Sequence, residues 1–150
     1  MDKYARILVI DDDESIRRTM SAILEEEGYI VDLAATGREA IQKTKEKVYN
    51  VALIDIRLPD MEGVELLKLI KENVPKTRKI MVTGYPSLQN AVNALNKNAD
   101  AYLIKPVDVE KLLNTIREQL QLQQNDIRYN EQKVAEFIET RVKELSSSDT

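Results

Sequence analysis

Polar side chains able to share in phosphoryl transfer follow four separate apolar runs of this chain. Asp11 and Asp12 close the run Arg6-Ile-Leu-Val-Ile10, Asp55 closes Val51-Ala-Leu-Ile54, Thr83 closes Lys79-Ile-Met-Val82, and Lys105 follows Ala101-Tyr-Leu-Ile104. Carboxylates crowded within about 4 Å repel by roughly 4 kcal/mol per pair at an effective dielectric of 20, so such a group must be protonated, spread apart or held by a cation. Oxygen donors without imidazole or thiolate select a hard divalent ion, Mg2+ by preference, with waters completing its octahedron. With a cation and Lys105 neutralising phosphoryl oxygens and the Thr83 hydroxyl donating to another, Asp55 is free to attack in line and form an aspartyl phosphate.

The elements around these residues must bring all four strand ends to one edge. Short continuous apolar runs bounded by turn residues read as strands buried on both faces, as in a parallel sheet covered by helices. Five strands are expected, at Arg6–Ile10, Tyr29–Ala34, Val51–Asp55, Lys79–Val82 and Ala101–Ile104. Between them the apolar spacing turns helical: Ile16, Met20, Ile23 and Leu24, then Ala40, Ile41 and Thr44, then Val64, Leu67 and Ile70, then Leu88, Val92 and Leu95 after a cap at Ser87. Gly28 suits a left-handed helix end, Thr36-Gly-Arg-Glu39 a capping box, and Asp13 and Glu14 read as exposed acids at a helix start. Pro59 and Gly63 serve the turn after Asp55. Strict alternation of strand and helix implies right-handed crossovers and an α/β fold with a doubly wound five-stranded parallel sheet, whose ligand site lies beyond the strands' carboxyl ends.

Composition narrows the function. A length of 150 residues suits one domain. With no Cys and no His, disulfides, thiolate and imidazole metal sites and histidine-dependent hydrolase triads are excluded. A formal charge of −4 argues against direct nucleic-acid binding. No signal peptide or apolar membrane span is expected, which points to a cytoplasmic protein.

Beyond about Gln121 the sequence becomes rich in glutamine and charge, while Leu113, Ile116, Leu120, Ile127, Val134 and Phe137 keep a roughly heptad spacing interrupted at Gln123 and Asn130. Asp108 is placed to cap a fifth helix, which either continues to Leu145 or breaks near Gln124 to Asn130. The division expected is 1–122 as the folded domain, 123–145 as a helical extension and 146–150 as a flexible tail. The extension is a coiled coil that dimerises the protein or a signalling linker to a further domain.

The motifs Ile7-Leu-Val-Ile-Asp11-Asp12, Leu53-Ile-Asp55-Ile-Arg-Leu-Pro59-Asp-Met-Glu-Gly63, Met81-Val-Thr83-Gly and Ala101-Tyr102-Leu-Ile-Lys105-Pro106 resemble, in order and at family spacing, the receiver domain of two-component response regulators. The resemblance covers residues 4 to about 122 and implies a flavodoxin-like sheet of order 2-1-3-4-5. It implies that Asp55 is the phosphoacceptor, that Asp12 binds Mg2+ directly and Asp11 mainly through a water, and that the Arg57 main-chain carbonyl completes the protein ligands. Lys105, before a cis bond to Pro106, would pair with the phosphoryl group, and Thr83 and Tyr102 would form a switch pair. The implied partners are a sensor histidine kinase or phosphotransfer protein, met near Ile16 to Met20 and the loop after Lys105, and a downstream effector. A homodimer would use either the face of the fourth helix, fifth strand and fifth helix or the C-terminal helix. The implied role is a switch that catalyses its own phosphorylation and a slow dephosphorylation, slow because bulky Arg57 and Tyr85 crowd the path of water.

Asp11-x-Asp13-x-Ser15, with Thr83 and Lys105 later, also resembles the haloacid-dehalogenase phosphatases, but no further acidic pair follows Lys105 as that family requires. A third reading is a dimerising scaffold that is not phosphorylated.

Overall fold

The computed structural model describes residues 5–73, 75–84 and 99–148. The run around Asp55 forms β3 (Val51–Asp55), buried along its whole length. Beside it lie β1 (Arg6–Ile10) and β4 (Arg78–Thr83), with β2 (Ile30–Ala34) and β5 (Ala101–Ile104) outermost, in the order β2-β1-β3-β4-β5. All four pairings are parallel. This is the doubly wound sheet, and the strand order, that the sequence implies.

Alternation along each strand divides the core in two. Ile7, Val9, Leu53, Ile80, Val82 and Leu103 face one way, against Met20 and Leu24 of α1 (Glu14–Glu26) and Leu112, Leu113, Ile116 and Leu120 of α4 (Val109–Ser148). Leu8, Ile10, Ala52, Ile54 and Met81 face the other way, against Ala40 of α2 (Gly37–Glu46) and Leu66 and Leu67 of α3 (Gly63–Leu69). In α3 the buried stripe differs from expectation: Leu66 is fully buried while Val64 is only partly so. The helix starts at Gly63, tight against β3, and this turns Leu66 and Leu67 inward. The helix expected around Leu88, Val92 and Leu95, with Tyr85 to Ser87 before it, lies outside the described residues.

Local signals set the helix ends. The Asp13 carboxylate accepts from the Ser15 and Ile16 N–H groups and caps α1. At the other end Gly28 takes φ 95°, its N–H donating to the Glu25 carbonyl and that of Tyr29 to the Leu24 carbonyl, the paired bonds of a left-handed helix stop. Thr36 caps α2 by accepting from Glu39 N–H, whereas the Glu39 side chain accepts from Ala35 one residue earlier than a capping box would have it.

The open question about the last helix resolves as one continuous element of 40 residues, roughly 60 Å long at 1.5 Å per residue. Its first turns pack in the core, and from Glu131 to Ser147 every residue is exposed. The apparent flaw in the heptad, Gln123, is 3% exposed and anchors the helix. Its amide donates to the Lys76 carbonyl at 2.7 Å and the Asn50 carbonyl at 3.1 Å, and its oxygen accepts from the Asn50 side chain at 3.0 Å. One turn earlier the Gln119 oxygen accepts from Arg78 Nε at 2.9 Å. This clamp holds α4 to the amino ends of β3 and β4, opposite the edge that carries Asp55.

Removing one side of a buried polar network leaves the other side unsatisfied. Gln123→Ala is therefore expected to lower the unfolding free energy by about 2–3 kcal/mol, measured by urea denaturation against a surface control such as Gln132→Ala.

Candidate phosphoacceptor site

Strand register assembles the site. Ile10 pairs with Ile54, so Asp11 and Asp55 emerge side by side from β1 and β3. Asp55 lies opposite Val82, Thr83 is one residue further on, and Thr83 in turn pairs with Ile104, the residue before Lys105. The Lys105 N–H donates to the Thr83 carbonyl at 2.7 Å, fixing the end of β5 to that of β4. The Lys105–Pro106 peptide is cis.

Asp11, Asp12 and Asp55 offer carboxylate oxygens that all lie within 4.8 Å of one another. Asp11 and Asp55 are buried while Asp12 is exposed, so the cluster opens to solvent on one side. Lys105 Nζ lies 2.7 Å from Asp11 Oδ2 and 3.4 Å from Asp55 Oδ2. The other Asp55 oxygen accepts from the Arg57 N–H at 3.4 Å. Three carboxylates facing one ammonium leave a formal local charge of −2, and the donors are hard oxygens; both properties fit a divalent magnesium ion.

The same crowding shows in the ionisation of the site. Burial first, and then the Asp11 charge, raise the Asp55 pKa above its ordinary value; Lys105 and the Arg57 N–H oppose this without cancelling it. Burial disfavours the Lys105 charge, yet the hydrogen bond and attraction of Asp11, followed by Asp55, lift its pKa overall. Lys105 therefore stays charged at neutral pH.

Gly63 is required by space. A side chain there would fall on the Asp55 carbonyl, and its N–H donates to the Ile56 carbonyl at 2.6 Å. Arg57 is exposed and bridges Glu62 in antiparallel fashion across the loop.

Asp11, Asp12, Asp55 and Lys105 thus converge as their spacing suggests. Thr83, fully buried, lies at the same edge, and Tyr102 lies two residues further back, opposite Met81 and so on the face of the sheet that Thr83 shares. The Tyr102 hydroxyl oxygen is shielded from solvent. Two contributors were not anticipated. Arg17 reaches back from α1 to donate to the Asp11 carbonyl at 2.7 Å. Asp60 accepts from two N–H groups of α2, a need that counting the helix's first three donors against the single Thr36 hydroxyl could have revealed.

A doubly wound parallel domain with polar groups gathered at this edge is an α/β domain of the kind that binds ligands at the carboxyl ends of its strands. Comparison with known proteins gives the family: residues 7–117 match the response regulator receiver domain, and the chain belongs to that family. It is 45% identical over 114 residues to the transcriptional regulatory protein ZraR of Klebsiella oxytoca, a match covering 76% of this chain and 26% of that protein. It is 35% identical over 123 residues to the regulatory protein AtoC of Escherichia coli K12, covering 82% and 27%. The chain spans about a quarter of the length of these relatives. Among solved structures it resembles a CheY-like receiver domain protein of Methanospirillum hungatei JF-1, with TM-score 0.78 and 49% identity over 82% of this chain and 98% of that one. The beryllofluoride-activated NtrC4 receiver domain dimer gives TM-score 0.74 and 46% identity over 79% and 98%. Residues 7–117 are accordingly a receiver domain, the phosphorylation-dependent switch module of two-component response regulators. The receiver match spans the residues on which the phosphatase reading rested and leaves that reading and the bare scaffold without support.

The raised Asp55 pKa has a definite sign in stability. The folded state binds this proton more tightly than the unfolded chain does, so stability falls as pH rises from the ordinary value of 3.8 through the raised one. Ionised Asp55 is a net cost at neutral pH. Asp55→Asn is expected to stabilise the metal-free protein at pH 7 by on the order of 1 kcal/mol, or about 3 °C in melting temperature. The gain should vanish near pH 3, where Asp55 is protonated; calorimetry at both pH values checks this.

Proposed function

We propose that Asp55 accepts a phosphoryl group from a partner histidine kinase or phosphotransfer protein and that the chain's own side chains catalyse the transfer. The observation that carries this reading is Lys105 Nζ lying between buried Asp11 and Asp55, with Asp12 completing the acidic cluster. An Asp55 carboxylate oxygen forms the new P–O bond as the donor's bond to phosphorus breaks, and the leaving electron pair departs on the donor. Lys105 meets the phosphoryl oxygens, and the Thr83 hydroxyl donates to one of them. Asp12 and Asp55, the Arg57 carbonyl and, through water, Asp11 would hold Mg2+, which supplies charge neutralisation when bound. The donor histidine lies outside this sequence, which contains none. A groove of about 480 Å3, lined by Ile16, Met20 and Ile23 of α1 and by Pro106, Val107 and Leu112, offers it an apolar docking surface.

Phosphorylation would draw Thr83 toward the new oxygens and let Tyr102 repack beside it, biasing a two-state equilibrium at the β4–β5 end of the sheet. Residues 1–122 act as the receiver and 123–145 as a helical extension, whose helix runs on to Ser148 into the stretch expected as a tail; the domain operates in the cytoplasm and passes the signal to an effector. Among the described residues no helix is long and apolar enough to cross a membrane. Val134, Phe137, Ile138, Val142 and Leu145 are all exposed on the extension, which supports pairing with a second copy; the face around β5 is the other candidate surface.

Incubation with acetyl phosphate and Mg2+ should add one phosphoryl mass to the wild type and none to Asp55→Asn. Labelling of the variant, or labelling of the wild type without a divalent ion, would overturn the assignment. Sizing of both forms with and without Val134→Lys/Ile138→Lys then reads which surface dimerises.

Loss of the phosphoryl group should be slow. Replacing Arg57 and Tyr85 together by small residues is expected to quicken it about tenfold, followed as decay of the phosphorylated mass; an unchanged rate refutes crowding by these two side chains.

A further inference from the structure

The first three N–H groups of α2, those of Gly37, Arg38 and Glu39, point out of the helix without intrahelical partners. The Thr36 hydroxyl takes only the last, at 3.1 Å. The other two are taken by one carboxylate from the loop after β3: Asp60 Oδ1 accepts from Gly37 at 2.9 Å and Oδ2 from Arg38 at 3.0 Å. Beside this contact a Cβ on Gly37 would strike the Met61 side chain, so Met61 sits directly on the glycine. The tip of the loop is thus fixed to α2 at two adjacent points.

Its base is fixed as well. Gly63 N–H donates to the Ile56 carbonyl, Leu58 N–H donates to the Met61 carbonyl at 3.1 Å, and Arg57 bridges Glu62. Between these ties runs Arg57, whose N–H touches the phosphoacceptor carboxylate. Asp60 itself takes no part in the acidic cluster.

We infer that Asp60 is a positioning residue for the phosphoacceptor loop: by holding the Gly37 and Arg38 N–H groups it shapes the main chain at Arg57. Toward the ion, this rests on the Mg2+ reading proposed above. Asp60 is exposed, and its ties are to backbone on the neighbouring helix, so its loss frees the loop tip without opening the core.

The test separates loop shape from α2 stability by pairing two cap variants. Asp60→Ala removes the cap donated by the loop; Thr36→Ala removes the helix's own. In metal-free protein, Asp60→Ala is expected to speed amide exchange at Leu58 about tenfold, with Thr36→Ala leaving it nearly unchanged. In Mg2+ titrations followed by calorimetry, Asp60→Ala should raise Kd roughly tenfold, Asp60→Asn should fall between it and the wild type because its amide oxygen still accepts one N–H, and Thr36→Ala should match the wild type. Unchanged Leu58 exchange in Asp60→Ala, or both effects reproduced by Thr36→Ala, overturns the inference. A wild type that binds no Mg2+ refutes the metal reading instead, and the exchange contrast still decides the role of Asp60.

Discussion

Like charge forced together by strand register is the condition on which this molecule turns. Parallel pairing of β1 with β3 aligns Ile10 with Ile54, and the next residue of each strand is an aspartate. Asp11 and Asp55 cannot separate without breaking the sheet, and Asp12 adds a third carboxylate within the same few ångströms. Among the described residues Lys105 sets a positive charge against them, delivered from β5 through its backbone bond to Thr83. On the proposed reading, a phosphoryl group on Asp55 would bring more negative charge to this edge, and Lys105 with a divalent ion would offset it. The neighbouring structure bears on where those charges sit: Gly63 lets α3 start against the Asp55 carbonyl, Arg17 holds the Asp11 backbone, and Asp60 ties the loop to α2.

The opposite edge of the sheet is built largely on amides, with the charged Arg78 paired to Asp100 and Asp126. There Gln119, Gln123, Asn50 and Arg78 connect α4 to the amino ends of β3 and β4 through hydrogen bonds in which nearly every member has a partner. Amides cost less to bury than carboxylates and do not titrate, so this end stays matched while the charge at the other end changes. One edge is poised to respond, and the other holds the long helix in place.

The fold was legible in the sequence to the degree that its signals are local. Strand runs, the Gly28 stop, the Thr36 cap and, among the described residues, the alternation of elements are read within a few residues and correspond to what forms. The candidate site was legible for a different reason: Asp11, Asp55, Thr83 and Lys105 each stand immediately after an apolar run, so locating the strands locates them. What could not be read depends on partners far along the chain. Gln123 reads as a polar interruption of a heptad because nothing nearby reveals that the Asn50 and Lys76 carbonyls await it 73 and 47 residues away. Asp60 gives no signal of its role for the same reason, its partners lying 22 and 23 residues back. In α3 the rotation that buries Leu66 in place of Val64 follows from the contact at Gly63, a matter of fit that periodicity does not contain.

The continuity of α4 gives the clamp a mechanical meaning. Leu112, Leu113, Ile116 and Leu120 pack in the same cluster as Val82 and Leu103, which flank Thr83 in β4 and Tyr102 in β5. The proposed rearrangement at the ends of β4 and β5 would therefore press on the buried half of the helix. Gln123 fixes the point where burial ends, and from there to Ser148 a straight helix extends roughly 38 Å. A tilt of a few degrees about that point moves the far end by a few ångströms, enough to alter which exposed side chains a second helix would meet. A break near Gln124 would absorb such a motion; an unbroken helix, anchored by the Gln123 amide, would transmit it.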